Sequence, residues 1–514
     1  MSDFTNINSS LSSQVSHYQR YNAEYKGFLN ELAEETLSPE EQPIFLRAEK
    51  ALKLLDPKSP DQKQLSQFLH DMLELHAFHL QRAAKNLDKY SISPLYLKRM
   101  ERLDRLSPEK APKVYEAIYE FVVSYCVNSG GVGTEKNGAV SANTSHFLIH
   151  PTLGKKASLF KPWSDNPSLF PGVSNSAVAQ RQVGAYLLSR MHGPFVDVPL
   201  STLSYRDEEI GSLQTFRKSS GELNALPPID RFKLGAEEVQ LAGVFRGRLY
   251  DGDGHLGNVL FKKREGKVEL THIDLDYILP CISTHENQPQ IKMGWRFWPQ
   301  MDKPFQPEVI KYLQTINPQE ERKNLEGLPA PLTKESLDLL EATTAAFQIG
   351  AEIGLTPGEV VDYLDSTSFK SALAFAFESE TPIEEFIGEA VLQGLKESKV
   401  NADHASRVIS ELTEKIQKNP KDEELIGNAV FQLENFVHEG PESWRNAVKL
   451  ARECIFLGVS DKDVLNLIKP LQNYARSNPV VMYAAIESLA DSLDVAGKVE
   501  SAKVIREWLV MNLS

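Results

Sequence analysis

The sequence predicts an α+β protein in which one mixed domain lies between two helical regions. Three observations carry this. Residues 1–128 hold apolar side chains at helical spacing behind Ser-Pro-acid starts, short strand-like runs occur only between about 129 and 282, and from about 305 to Ser514 the pattern is helical again. At 514 residues the chain is too long for one compact core, and the expected domains are 1–128, 129–375 and 376–514.

In the first region, Ser38-Pro39-Glu40, Ser59-Pro60-Asp61 and Ser107-Pro108-Glu109 read as helix starts. Serine caps, proline fits the first turn, and the acid meets the helix dipole. Phe68, Met72, Leu75 and Phe78 follow at helical spacing, the stripe of an amphipathic bundle. Composition changes at Ser129, where a stretch rich in Gly, Ser, Thr and Asn runs to Ser145. Strands are expected at Phe147–Ile149, Ala157–Phe160, Gly257–Phe261 and Val268–Ile273, with one helix over Ala177–Met191. In the last region, breaks at Asn419-Pro420, Glu439-Gly440-Pro441, Gly458-Val459-Ser460 and Asn478-Pro479 recur about every 20 residues. That is one helix plus a turn, so stacked helix pairs or a plain helical bundle are both expected forms, with a protein partner for either.

Composition excludes several classes. With 41% hydrophobic and 25% charged residues, the chain is neither disordered throughout nor a collagen or disulfide scaffold. Lys and Arg number 56 against 70 Asp and Glu, a net charge of −14, which argues against nucleic acid as partner. No apolar run approaches the roughly 18 residues of a spanning helix. The polar start from Met1 to Asn30 lacks a charged-then-apolar secretory signal. Cys126, Cys281 and Cys454 fall in no metal or redox spacing and are expected as reduced, buried thiols. This is the pattern of a cytoplasmic chain, or of one delivered into another cell's cytosol.

Four islands in the mixed region could carry chemistry. Lys161 closes the apolar strand Ala157–Phe160, and Gln182 lies on the helix that follows. Next comes Asp251-Gly252-Asp253-Gly254-His255-Leu256-Gly257-Asn258 before an apolar strand, then His272-Ile273-Asp274-Leu275-Asp276 at the end of the next. The Asp-Gly-Asp-Gly run fails the EF-hand register, which needs a twelfth-position Glu. In this order the islands match what phosphoryl transfer requires. A lysine holds nucleotide phosphates, an Asp orients the incoming hydroxyl, and an Asn with a second Asp binds magnesium through oxygen. Asp253 and Asn258 stand five apart, and Asp274 follows after one hairpin, the spacing of a kinase catalytic loop and metal loop.

Beyond these islands the sequence resembles the phosphatidylinositol 3-/4-kinase superfamily, most closely the type II and plant gamma phosphatidylinositol 4-kinases. The matching strings are Phe160-Lys161-Pro162, Ala185-Tyr186-Leu187-Leu188, Val198-Pro199 and Ile210-Gly211-Ser212-Leu213-Gln214-Thr215-Phe216. Asp253-x-His255-x-Gly257-Asn258, Ile273-Asp274 with Leu279-Pro280, Trp298-Pro299-Gln300 with Pro304-Phe305, and Gly354-Leu355-Thr356-Pro357-x-Glu359 complete the match over about 141–365. The resemblance implies a bilobal, protein-kinase-like catalytic domain that uses ATP with Mg²⁺ or Mn²⁺. It implies Lys161 on the α/β-phosphates, Asp253 as catalytic acid, Asn258 and Asp274 as metal ligands, and Gln214, Thr215 and Phe216 as the adenine hinge. Ser141, Asn143, Thr144 and Ser145 would cover the phosphates through backbone N–H groups.

The chain departs from the family in three places. Gly254 replaces the Arg of the usual Asp-Arg-His, Gln182 stands where an acid should pair with the lysine, and Asp276 replaces a Gly. The resemblance implies an inositol lipid as acceptor. A protein acceptor on the same fold, or a non-catalytic scaffold, are the alternatives. Peripheral membrane contact would fall to the apolar cluster Trp295, Phe297 and Trp298, although aromatic residues at such spacing more often form a core.

Overall fold

The computed structural model of the chain describes parts of residues 26–75, the stretches 134–136, 145–149 and 156–162, and residues 178–513 apart from short internal stretches. Ser59-Pro60-Asp61, Ser107-Pro108-Glu109, Phe78, Cys126, Ser141, Asn143 and Thr144 lie outside the described residues. Helix α1 (Glu41–Leu54) begins just after Ser38-Pro39-Glu40. Its Ile44, Phe45 and Ala48 pack in one apolar cluster with Phe68, Met72 and Leu75, so that stripe is core.

The chain forms two compact units. The smaller takes in residues 1–164, 186–195 and 199–216, and the larger takes in 165–185, 196–198 and 217–514. In the smaller unit, strands β1 (Thr134–Lys136), β2 (His146–Ile149), β3 (Lys156–Pro162), β4 (Ser201–Arg206) and β5 (Glu209–Thr215) form an antiparallel sheet ordered β1-β2-β3-β5-β4. Sequence periodicity missed β1, β4 and β5, whose polar residues break the apolar runs. Lys161 pairs with Ser212 and Pro162 with Gly211. A Cβ on Gly211 would overlap the Lys161 carbonyl oxygen, so the glycine lets β5 close on β3. Helix α2 (Val178–Met191) lies where expected, its first half, through Ala185, belonging to the larger unit.

In the larger unit, β6 (Gly221–Glu222), β7 (Val259–Arg264) and β8 (Lys267–His272) form a second antiparallel sheet. Beside it runs α3 (Ala236–Arg248), buried at every position from Val239 to Arg248. A helix buried all round has no amphipathic period, which is why the sequence pattern does not reveal it. Gln300, in the Trp-Pro-Gln string, donates to the carbonyls of Arg231, Phe232 and Leu234 and so ties off a one-turn helix. In the Gly-Leu-Thr-Pro string, Thr356 and Glu359 form a reciprocal capping box, with Pro357 in the first turn of the following helix. Both strings are structural here. Trp295, Phe297 and Trp298 are each 1% exposed, so this cluster is core and presents no surface to a membrane. Among the described residues no helix is long and apolar enough to cross one. Cys454 is buried as expected, whereas Cys281 is exposed.

The described residues are thus a helix-rich α+β arrangement with two small antiparallel sheets. The final helices are α4 (Leu392–Lys418), α5 (Glu423–His438), α6 (Trp444–Phe456), α7 (Asp461–Tyr474), α8 (Pro479–Val495) and α9 (Val499–Leu513). Helices α4 to α7 end at the four breaks the sequence marks, whereas the turn after Val495 is not among them. Buried ion pairs join them to the rest of the larger unit. Arg445 and Arg452 of α6 both reach Asp302 at 2.7 Å, and Arg445 also pairs with Asp362, which Arg296 holds at 2.9 Å. Ser488 of α8 donates to the Phe297 carbonyl at 2.8 Å.

On α8, burial and then Asp491 push the Glu487 carboxyl up to about 7, against opposing pulls from Arg231 and Arg506. The folded state therefore holds a proton there that the unfolded chain releases nearer 4.5, and stability falls as pH rises across that interval. Glu487→Gln is expected to raise the melting temperature at pH 8 and to change it little at pH 5, as thermal unfolding at the two pH values will show.

Candidate functional site

The hairpin β7–β8 builds the site. Val259 pairs with His272 in register, so the residues just outside the pair, Asn258 and Ile273, face each other, and the Ile273 N–H donates to the Asn258 carbonyl at 3.0 Å. Asn258 and Asp274 thereby emerge at the same end of one ladder. Asp274 has φ 58°, a left-handed conformation that Asp tolerates better than most residues. Asp253 lies in the turn leading into β7. The Asn258 side-chain NH₂ donates to its carbonyl at 2.7 Å and its carboxylate at 3.2 Å. Both bonds use the amide nitrogen, which turns the Asn258 carboxamide oxygen away from Asp253. Sequence spacing predicted these three residues, and the larger unit brings them together.

Arg246 of α3, which sequence reasoning missed, sits behind them. It is fully buried and donates to His272 Nδ1 at 2.9 Å, to the Asn258 carbonyl at 2.7 Å, to the Ile273 carbonyl at 2.9 Å and to the Asp251 carboxylate. Asp251 in turn accepts the Asp253 N–H at 2.9 Å. One guanidinium thus fixes the loop carrying Asp253 and the strand end carrying Asp274. Burial holds His272 well below its ordinary pKa, helped by Arg246, so the ring is neutral and Nδ1 accepts. Burial lifts Asp251 to about 6 despite Arg246. Asp253 is also raised by burial, while Lys292 and the Asn258 hydrogen bond pull it back. The signal that could have found Arg246 is the pair Arg246 and Arg248 closing a helix whose preceding stretch, Leu241 to Phe245, is apolar.

The departures from the family pattern have physical reasons. The Gly294 N–H donates to the Gly254 carbonyl at 3.0 Å, and a Cβ on residue 254 would overlap the Lys292 carbonyl oxygen. No side chain fits there, and the cation beside the loop comes from Arg246 instead. Gln182 is buried and its amide oxygen accepts the Leu275 N–H at 2.8 Å, so it orients the residue next to Asp274. Asp276 is 1% exposed, which rules out a surface role for it. His255 Nδ1 accepts the Gly257 N–H at 3.0 Å and shapes the turn before β7.

Lys161, Ser145, Gln214, Thr215 and Phe216 lie in the smaller unit. Lys161 is half-buried on β3, Ser145 and Gln214 are buried, and Phe216 is 38% exposed and meets Phe147 edge-on at 5.8 Å between ring centroids. Among the described residues no three His, Cys, Asp or Glu side chains cluster as a metal cage. Two oxygen donors, Asn258 and Asp274, suit a hard cation such as magnesium, which usually takes only one or two protein carboxylates and completes its shell with phosphates and water.

No protein-family model matches the chain. It is 28% identical over 294 residues to phosphatidylinositol 4-kinase gamma 4 of Arabidopsis thaliana, covering 49% of this chain and 49% of the relative. It is 27% identical over 319 residues to phosphatidylinositol 4-kinase gamma 4 of Oryza sativa subsp. japonica, covering 57% and 54%. Phosphatidylinositol 4-kinase gamma 2 of Arabidopsis thaliana is 28% identical over 244 residues, covering 46% and 40%. The chain spans about half the length of the curated relatives it matches. It is a distant relative of plant proteins named phosphatidylinositol 4-kinase gamma.

Proposed function

We propose that the chain is a bilobal, protein-kinase-like phosphotransferase that moves the γ-phosphate of ATP to a hydroxyl of an inositol lipid, the 4-position by resemblance. The observation that carries this is the hairpin end, where Asn258 and Asp274 emerge together and Asn258 is hydrogen-bonded to Asp253. The names of the distant relatives support the lipid acceptor.

In this reading Asp253 accepts the proton of the attacking hydroxyl, and its burial-raised pKa makes it a better base than a solvated carboxylate. Asn258 and Asp274 would hold Mg²⁺ or Mn²⁺, which when bound neutralises charge on the transferred phosphate. Lys161 holds the α/β-phosphates, and Gln214, Thr215 and Phe216 receive adenine. Ser141, Asn143, Thr144 and Ser145 cover the phosphates. Arg246 touches no substrate and acts as a positioning residue.

The test is purified chain with labelled ATP, Mg²⁺ or Mn²⁺, and either phosphatidylinositol vesicles or protein acceptors, with products identified by mass spectrometry. Label is expected in phosphatidylinositol. Label in protein alone would replace the acceptor with a protein. No ATP consumption under any condition would leave a scaffold.

A further inference from the structure

We propose that the larger unit holds a second site, a cavity against helix α6 that takes an organic cation, the ammonium or guanidinium of a small amine or of a partner's basic side chain. It does not rest on the kinase reading above. The cavity measures about 380 Å³, within the roughly 300–1,000 Å³ range of small-ligand sites. Glu397 and His404 of α4, Phe436 of α5, Glu439 just beyond it and Asn446 of α6 line it, together with Tyr363 from the helix that Thr356 caps.

An orphaned amide is the first argument. Asn446 is only 8% exposed, yet among the described residues its carboxamide has no hydrogen-bond partner. Burying an unpaired amide is costly, and native chains pair nearly all such groups. Its neighbour Arg445 shows the contrast, with Asp302 and Asp362 both in reach. Because Asn446 lines the cavity, an occupant of that cavity can satisfy it. Its amide oxygen accepts from the N–H groups of a cation.

Charge is the second argument. Glu359 and Asp362 also line the cavity but are already paired. Glu359 accepts the Thr356 N–H at 2.8 Å and lies 3.5 Å from Lys449, and Asp362 is held by Arg296 at 2.9 Å and by Arg445. Arg445 is spent there and on Asp302 at 2.7 Å. Glu397 and Glu439 are exposed, and neither has a basic partner among the described residues. Glu397 accepts only the neutral Gln393 amide, at 2.8 Å. His404, the other titratable group on the lining, is exposed to solvent. Burial, and then the Glu397 charge, raises the Tyr363 phenol, which places that carboxylate near an aromatic ring where a cation is also favoured. Among the described residues no three His, Cys, Asp or Glu side chains cluster as a metal cage, so the charge suits a cation spread over several atoms.

The test is isothermal titration of the full-length chain at pH 8 with agmatine, a capped arginyl-lysine dipeptide, and uncharged inositol as control. Agmatine carries a charge at each end, one for each unpaired carboxylate. It is expected to bind, to raise the melting temperature, and to bind more weakly as salt rises. Glu397→Gln combined with Glu439→Gln, at exposed positions safe for folding, is expected to weaken binding about tenfold. Asn446→Ala is expected to weaken it about tenfold, the loss of one hydrogen bond to a charged group. Asn446→Asp adds a carboxylate and should strengthen binding instead. If either Asn446 variant fails to fold, the double glutamate variant decides. Tighter binding of agmatine than of the dipeptide assigns a free amine, and the reverse assigns a partner's basic side chains. Binding of neither cation would overturn the site. So would equal binding of inositol, or wild-type affinity in the double glutamate variant.

Discussion

Asp274→Asn is expected to lower phosphotransfer by roughly two to three orders of magnitude, the usual loss when one electrostatic partner of a transferring phosphate is removed. Asn is the better replacement than Ala because the position has φ 58°, which Asn tolerates and Ala does not. The fold should survive, since Asp274 stands beyond the end of β8, and its melting temperature should stay near wild type. Asp253→Ala is expected to cost about two to four orders of magnitude, the range for a general base. Asp251 cannot take over. It is 0% exposed, one oxygen is held by Arg246, and the other accepts the Asp253 N–H at 2.9 Å. Single-turnover transfer from labelled ATP measures both variants. Unchanged turnover in Asp274→Asn would remove the phosphotransfer assignment of this loop.

Arg246→Met is expected to have the largest effect on stability, about 3–5 kcal/mol, because it leaves a buried charge without its partner. The variant strands Asp251 in the core together with His272 Nδ1 and the carbonyls of Asn258 and Ile273. Arg246→Lys should recover only part of this. One ammonium cannot span four acceptors that the guanidinium fork reaches at once. Asp251→Asn added to Arg246→Met should restore some stability by removing the orphaned charge. Urea unfolding midpoints decide it. A double variant no more stable than Arg246→Met would show that the ion pair is not what holds the loop to the strand end.

Much of the site was legible in the sequence because its residues are local. Asp253 and Asn258 share one turn, and a hairpin of fixed register carries Asn258 to the residue beside Asp274. Arg246 was not legible, because its partners Asp251, Asn258, His272 and Ile273 lie between 5 and 27 positions away and meet only when α3 packs against the hairpin. In the sequence Gly254 is only a departure from the family's Arg; the close approach of Lys292 and Gly294 gives it a reason. The aromatic cluster at Trp295 fitted a core better than a membrane contact, and its burial settles it as core, since periodicity records spacing and not what covers a face.

By itself the sequence determined the order of helical and mixed regions, four of the helix ends of the last region, and the spacing of Asp253, Asn258 and Asp274. These are local properties. Caps, turns and strand periods are set by neighbours within a few residues. Tertiary structure alone decided that α3 is buried on all sides, that Arg246 binds the loop to the strand end, that Gln182 serves the Leu275 N–H, and that α8 lines a cavity together with His255 and Lys292. Each of these depends on desolvating charges and amides between segments far apart in the chain. A buried polar group acquires its meaning only from the partner that satisfies it.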